Sequence, residues 1–333
     1  MEVISGTHHC MVPVDHPTRV GEARRIAAEQ SRSAGLDDVQ AGRVALVVTE
    51  LGANLQRHAS KGVLLLGTRR GEVEVVAFDR GPGIANLPQS LADGYSTGGT
   101  PGTGLGAVRR LADDFDIYST APEGTVVVAR VRSADAAARS AFRVAGLSIA
   151  APGETVCGDG WSVVLQGSTA HVVVADGLGH GPDAAVAAAE AINTFEAEPA
   201  LAPRLLLDRM HARLRSTRGA AVSIYRADAA SDSVRSAAAG NVMARLVSGV
   251  SDKSILGQHG TVGVQMRSVQ ELDVPWPAHA VLVVHSDGIE SRWQPQLLAP
   301  ALAHDPAVAA ALLLRDHCRG RDDATVVVVG RPR

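Results

Sequence analysis

Aromatic residues are scarce, at 3% of the 333-residue sequence, so any core has to be built from Val, Leu, Ile and Ala. Cysteine is scarce as well. Cys10, Cys157 and Cys318 are spread along the chain without C-x-x-C spacing, which argues against a disulfide framework or a zinc site and fits free thiols in a reducing compartment. There is no basic excess. A formal net charge of −3 offers no electrostatic footprint for nucleic acid, and none is expected as a partner. The longest apolar run, Ala307 to Leu314, is too short to cross a bilayer. Asp15 and His16 interrupt the N-terminal stretch before a basic-then-apolar signal pattern can form. The expectation is a cytoplasmic protein without a membrane segment.

What the sequence does have fits two globular domains. The length points that way, and 46% hydrophobic against 20% charged residues is an ordinary balance for chains that bury a core. Helical patterning runs through ARRIAAEQSRSAGL and DDVQAGRVALVVTELGANLQRHA, with Asp37 or Asp38 as N-cap of the second. Strand-like runs VLLLGTRR and EVEVVAFD follow, then a glycine-rich loop from Gly81 to Gly106, a helix over AVRRLADDF, and strands at DIYST and GTVVVARV. Ser133 to Ser140 is Ala-rich without a strong apolar face and reads as a linker. The predicted division is residues 1–132, a linker at 133–141, and 142–333. In the last part, short β runs alternate with Ala-rich helices, and acidic residues stand where several of the strands end.

Three motifs stand in order in the first part. Glu50, Asn54 and His58 lie at i, i+4 and i+8, which places them on one helix face. Asp79-Arg80-Gly81-Pro82-Gly83 begins where a strand ends, giving a carboxylate able to accept from the amine of a base beside glycines that permit tight turning. Gly102-Thr103-Gly104-Leu105-Gly106 runs into a helix, an arrangement whose backbone N–H groups suit phosphate. Each has a plainer reading by itself: a solvated polar stripe, a strand-to-loop turn, a lone glycine loop. The glycine loop lacks the strand and acid of a Rossmann site, and there is no Walker lysine.

Together, the three motifs resemble the GHKL ATPase superfamily over about Val12 to Arg130. Within it, DRGPGI and GTGLGAVRRLADDFDIYS look most like the anti-sigma and stressosome switch serine kinases. The resemblance implies a Bergerat α/β sandwich that binds ATP and Mg²⁺. Asn54 would hold the Mg²⁺ and Asp79 would recognise adenine, with Gly81 and Gly83 shaping the base pocket. Gly102, Thr103, Gly104, Leu105 and Gly106 would line the phosphate side, and Glu50 would be the general base. It also implies a STAS-domain antagonist protein as the phosphorylation substrate. His58 is expected to pack or cap.

In the second part, four acidic motifs recur at chain turns: Cys157-Gly158-Asp159-Gly160, Ala175-Asp176-Gly177-Leu178-Gly179-His180, Ser286-Asp287-Gly288 and Arg321-Asp322-Asp323. A single Asp-Gly is usually just a turn. Four carboxylates that converge would repel unless protons or metal ions neutralised them, and hard oxygen ligands favour Mg²⁺ or Mn²⁺. The order AGLSIAAPGETVCGDGW, ADGLGHG, HSDGI, RDDAT resembles the sporulation-protein-E-type phosphatases, relatives of the type 2C enzymes, from about Phe142 onward. This implies a PP2C-like αββα sandwich with two Mn²⁺ or Mg²⁺ ions held by Asp159, Asp176, Asp287, Asp322 and the Gly177 carbonyl. It also implies hydrolysis of phosphoserine or phosphothreonine. Asp322 is preferred over Asp323 because the family motif places its ligand first. Glu154 receives no role, His180 orders its loop, Cys157 is inert, and His8, His9 and Cys10 fall in a flexible terminus. The combined expectation is a bifunctional partner-switching regulator. The alternative is a phosphatase whose N-terminal domain senses ATP or binds a partner without catalysis.

Overall fold

The computed structural model describes residues 1–69, 71–91, 104–134, 141–250 and 252–332. It divides into two compact units, His9–Ala138 and a second formed by Arg139–Arg333 together with Met1–His8. The chain therefore starts in the second unit. Strand β1 (Glu2–Ile4) is antiparallel to Val163–Leu165, with Ile4 packed on that unit's core. This differs from the reading of residues 1–132 as one domain: three residues carry no period from which a partner far along the chain could be read.

The first unit opens with β2 (Cys10–Pro13), where a flexible terminus was expected. Backbone pairing with Leu66–Val63 fixes it, and the buried His9 ring meets Glu74 at 3.1 Å. Helix α1 (Pro17–Ser33) begins on a His16 cap with proline in its first turn, and turns Ala23, Ala27 and Ser31 inward at four-residue spacing. Helix α2 (Asp38–His58) starts from a capping box in which Asp37 and Gln40 satisfy each other's backbone N–H. It buries Val44, Val47, Val48, Leu51 and Leu55.

The remaining elements are β3 (Val63–Arg69), β4 (Glu72–Phe78), the short α3 (Leu87–Ser90), α4 (Leu105–Leu111), β5 (Asp114–Thr120) and β6 (Gly124–Arg132). The sheet runs β2-β3-β4-β6-β5, antiparallel throughout. Alternate residues Leu64, Leu66, Val73, Val75, Val127 and Ala129 join the helical residues in one core, giving a helix layer on one sheet face. The helix expected over AVRRLADDF stops at Leu111. Asp114 and Phe115 belong instead to β5, where pairing with β6 outweighs their weak helical preference. Residues 135–140 of the expected linker lie outside the described residues.

The second unit continues with β7 (Arg143–Ile149), β8 (Asp159–Gln166), β9 (Thr169–Gly177), α5 (Pro182–Ala197), α6 (Pro203–Arg213), β10 (Ala220–Asp228), β11 (Ser233–Ala239), β12 (Met243–Val247) and β13 (Asp252–Ile255). A small hairpin of β14 (Gly260–Thr261) and β15 (Gln265–Met266) precedes β16 (Leu272–Pro275), β17 (Val281–His285), α7 (Pro306–His317) and β18 (Ala324–Gly330). One sheet runs β1-β8-β9-β10-β11-β16 and the other β13-β12-β17-β18-β7. Trp161, Val163, Val172, Val174 and Tyr225 of the first meet Leu246, Leu282, Val284 and Val327 of the second in a common core. On the first sheet's outer face, Val173 and Ala175 pack under Ala187, Ala191 and Phe195 of α5 and Leu206 and Met210 of α6. Helix α7 packs against β7 and β18. The result is a four-layer αββα sandwich.

Candidate functional site

In the first unit, a cavity of about 510 Å³ opens beside α2. Asn54, Asp79, Gly83, Gly104 and Leu105, all anticipated from the sequence, line it. Glu50 stands one helical turn before Asn54 on the same face of α2 but outside the lining. Burial raises its pKa, an effect Arg57 opposes. Gly81 is also outside the lining, yet its N–H donates to Asp79 Oδ1 at 2.6 Å, so the turn holds the carboxylate. Gly83 has φ +72, and a Cβ there would stand 2.6 Å from the Thr120 carbonyl, so only glycine fits. Gly104 is the N-cap of α4, Gly106 is buried in its first turn, and Gly102 and Thr103 lie outside the described residues.

Sequence reasoning missed the cavity's apolar wall, formed by Leu51, Leu55, Ile84 and Val127, and also Thr125. Leu51 and Leu55 were recoverable, since they flank the Glu50–Asn54 face at helical spacing. Thr125 had no signal of its own. It is placed by the Asp79 N–H to Thr125 O bond of 3.0 Å between neighbouring strands, and its hydroxyl meets Ser119 Oγ at 2.9 Å. An aspartate and a threonine at the end of a largely apolar cavity can read the polar edge of a planar base.

In the second unit, the acidic residues gather where strands of both sheets end. Asp159 opens β8 and Asp176 lies near the end of β9 as its direct cross-strand partner, which puts both side chains on one face. Asp287 follows β17, and Asp322 precedes the adjacent β18. Ser286 ties the sheets together: its hydroxyl donates to Asp159 Oδ2 at 2.7 Å and accepts from Thr325 N at 3.0 Å. Gly177 donates to the Gly158 carbonyl at 3.1 Å, and a Cβ on it would stand 2.2 Å from the Ala184 carbonyl of α5. The close approach of helix to strand thus depends on that glycine.

Proximity shows in the electrostatics. Burial, then the charges of Asp159, Asp287 and Asp322, push Asp176 up to about 9. Burial and the charges of Asp323 and Asp287 bring Asp159 to about 7, against the hydrogen bonds from Ser286 and Thr325. Asp287 is raised by burial and Asp322, and restrained by Arg319, Arg321 and a hydrogen bond from Asn241 Nδ2 to its Oδ2 at 2.5 Å. Asn241 had no motif in the sequence to mark it as a partner of Asp287. Cys157 is buried and its thiol is pushed up by burial and by Asp159 and Asp323, so it stays protonated. His180 Nδ1 meets Glu154 Oε1 at 2.7 Å across two loops.

Asp323 was set aside in favour of Asp322, and the structure gives it a part as well. One of its oxygens accepts from Ala151 N at 2.8 Å, while the other is buried without a hydrogen bond. Among the described residues, no three His, Cys, Asp or Glu side chains already surround a single point as a cage. The carboxylates come together pairwise and repel. An orphaned buried carboxylate oxygen, two aspartates raised to about 7 and 9, and an all-oxygen donor set are what a site for hard divalent cations needs.

Comparison with known proteins follows the two units. Residues 14–131 match the histidine kinase-like ATPase domain, and residues 166–332 match Stage II sporulation protein E (SpoIIE). The serine/threonine-protein kinase RsbT of Bacillus subtilis (strain 168) is 34% identical over 111 residues, which is 32% of this chain and 84% of RsbT. A solved structure from work on the bacterial stressosome, a modular system adapted to control secondary messenger signalling, is similar at TM-score 0.54 and 27% identity. It covers 56% of this chain and 98% of its own. RsbX, solved in complex with magnesium, shares the fold at TM-score 0.51 and 19% identity, over 56% of this chain and 94% of its own. The first unit is thus GHKL-like and the second PP2C-like. With residues 166–332 spanning half its length, the chain belongs to the Stage II sporulation protein E (SpoIIE) family and carries a histidine kinase-like ATPase domain ahead of that region.

Proposed function

We propose that this protein is a partner-switching regulator with two opposed activities toward a STAS-type antagonist protein. The first unit phosphorylates a serine or threonine from ATP, and the second removes the phosphate. The observation that carries the reading is the convergence of Asp159, Asp176, Asp287 and Asp322, with Asp323 beside them, at one end of the β-sandwich. Likeness to RsbT supports the kinase half, and RsbX, whose fold the second unit shares, was solved with magnesium.

In the second unit, Asp159, Asp176, Asp287, Asp322 and the Gly177 carbonyl would hold two Mn²⁺ or Mg²⁺ ions. Bound divalent ions supply Lewis acidity toward a phosphoryl group and offset the charge of the carboxylates. The protein's own groups do the orienting. Ser286 fixes one oxygen of Asp159, Asn241 fixes one of Asp287, and Gly177 lets α5 close on the end of β9. In the first unit, Asn54 would bind Mg²⁺ on the nucleotide phosphates, and Asp79 would accept from the adenine amine. Gly81 and Gly83 shape the turn beneath the base, while Gly104, Leu105 and Gly106 lead into the phosphate side. Glu50 would take the proton of the attacking hydroxyl, and burial, which raises its pKa, makes it a stronger base.

The test mixes the full chain with ATP, Mg²⁺, Mn²⁺ and a purified STAS-domain protein, and follows phosphoprotein over time. Asp287→Ala should let phosphoprotein accumulate, and adding Glu50→Ala should abolish it. Absence of phosphoprotein with Asp287→Ala would remove the kinase half, leaving a phosphatase whose N-terminal unit only senses nucleotide. Failure of the wild type to dephosphorylate a prepared phosphoserine STAS protein would remove the phosphatase half.

A further inference from the structure

A phosphate monoester carries about two negative charges at neutral pH. The charge of four carboxylates would cancel that of two divalent ions, so the loaded site would have little net attraction for such a group. An anion is held well where cations stand on the same rim.

The turn between α7 and β18 supplies them. It is strapped along the loop that carries Asp287: Glu290 N donates to the His317 carbonyl at 2.9 Å, Cys318 bridges to Ile289, and Arg319 N donates to the Gly288 carbonyl at 2.8 Å. Arg319 and Arg321 flank Gly320, whose φ of +65 reverses the chain between them, and Arg321 immediately precedes Asp322. Both arginines are exposed, and among the described residues neither takes an ion pair. Two other arginines of this unit are committed elsewhere. Arg218, beside Gly179, pairs with Asp183 at 2.6 Å, and Arg315 pairs with Asp316 at 2.7 Å. Arg319 thus stands beside the Asp287-Gly288 turn, and Arg321 beside Asp322.

We propose that Arg319 and Arg321 form the phosphate-anchoring rim of the metal site, receiving the phosphoryl oxygens of a phosphoserine or phosphothreonine side chain. This rests on the phosphatase reading of the second unit. A rival role is that of plain counter-ions to the carboxylates, and the two roles separate cleanly. Removing mere counter-ions favours cation binding and leaves phosphate binding alone. Removing anchors weakens phosphate binding.

The experiment titrates inorganic phosphate into the Mn²⁺-loaded full chain by calorimetry, for wild type and for Arg319→Ala/Arg321→Ala, with Mn²⁺ uptake and the melting temperature measured alongside. Both arginines are exposed, so the variant should fold as the wild type does. The double variant is expected to bind phosphate about tenfold more weakly or worse, with Mn²⁺ uptake unchanged or tighter. KM for p-nitrophenyl phosphate should rise by a similar factor while kcat falls less. Equal phosphate affinity in the two proteins overturns the inference and leaves the phosphatase reading standing. A wild-type chain that takes up no Mn²⁺ overturns that reading, and the anchoring role falls with it.

Discussion

Carboxylates crowded together in a buried place have two ways to lower their repulsion: take up protons or take up cations. Asp176 at about 9 and Asp159 at about 7 show how strongly this group seeks one or the other. The sign follows for the metal-free protein. Their folded pKa values lie above the unfolded value of about 4, so the folded state binds the extra protons and stability declines as pH rises through this window. With metal chelated, the melting temperature of the second unit should fall by about 3 °C or more between pH 6 and pH 9, the shift that ~1 kcal/mol produces in a domain of this size. Asp176→Asn should remove much of that fall in a thermal-shift series run in EDTA. Asn241 acts on the same group from outside. Its bond to Asp287 leaves the other carboxylate oxygen free, and Asn241→Ala should weaken Mn²⁺ binding by about tenfold, as loss of a partner to a metal ligand commonly does. The aspartates were legible because each stands at a turn after or before an apolar run. Asn241 was not, because its hydrogen bond depends on a neighbour that only the fold brings near, and the part played by Asp323, seen in the sequence but set second to Asp322, shows only in the fold.

At the level of the element, alternation and helical spacing carried most of the fold. Leu64, Leu66, Val73 and Val75 face inward as their period requires, and α2 buries the stripe its sequence implies. What escaped was short or was decided by pairing. The end of α4 at Leu111 was set by β5 joining β6, and β1 found its partner on β8, the strand that begins with Asp159. Deleting residues 1–5 should therefore lower the melting temperature of the second unit while ATP binding in the first is kept, as read by differential scanning calorimetry with and without nucleotide. The first sheet contains a buried ionic knot between β3, β4 and β6. Burial by itself would raise Glu74, but the charges of Arg130 and Arg69 and the His9 contact hold it well below the usual carboxylate range. A depressed folded pKa gives stability that is present above the unfolded value and lost as pH falls through the folded one. Glu74→Gln leaves the Arg130 charge buried without its anion and should cost about 3 kcal/mol of unfolding free energy. The acid limb of its stability curve should be shallower than that of the wild type.

On the scale of the whole chain, one polypeptide joins a GHKL-like unit to a PP2C-like unit. Among the described residues, no helix is long and apolar enough to cross a membrane. Composition and motif order made the two-part organisation readable, because glycine loops and Asp-Gly turns mark strand ends in sequence. The apolar wall of the cavity beside α2 was less readable, since Ile84 and Val127 meet Leu51 only after the sheet has formed. Joint action of the second unit's acidic residues on divalent cations is the centre of the proposed function. The direct test is calorimetric titration of Mn²⁺ into the chelator-stripped full chain at pH 7.5, repeated in buffers of different ionisation enthalpy. The expected result is saturable binding that releases protons, with an apparent heat that changes with buffer, and that disappears in Asp159→Asn/Asp287→Asn. Binding without proton release, or an equal heat from the double variant, would contradict it.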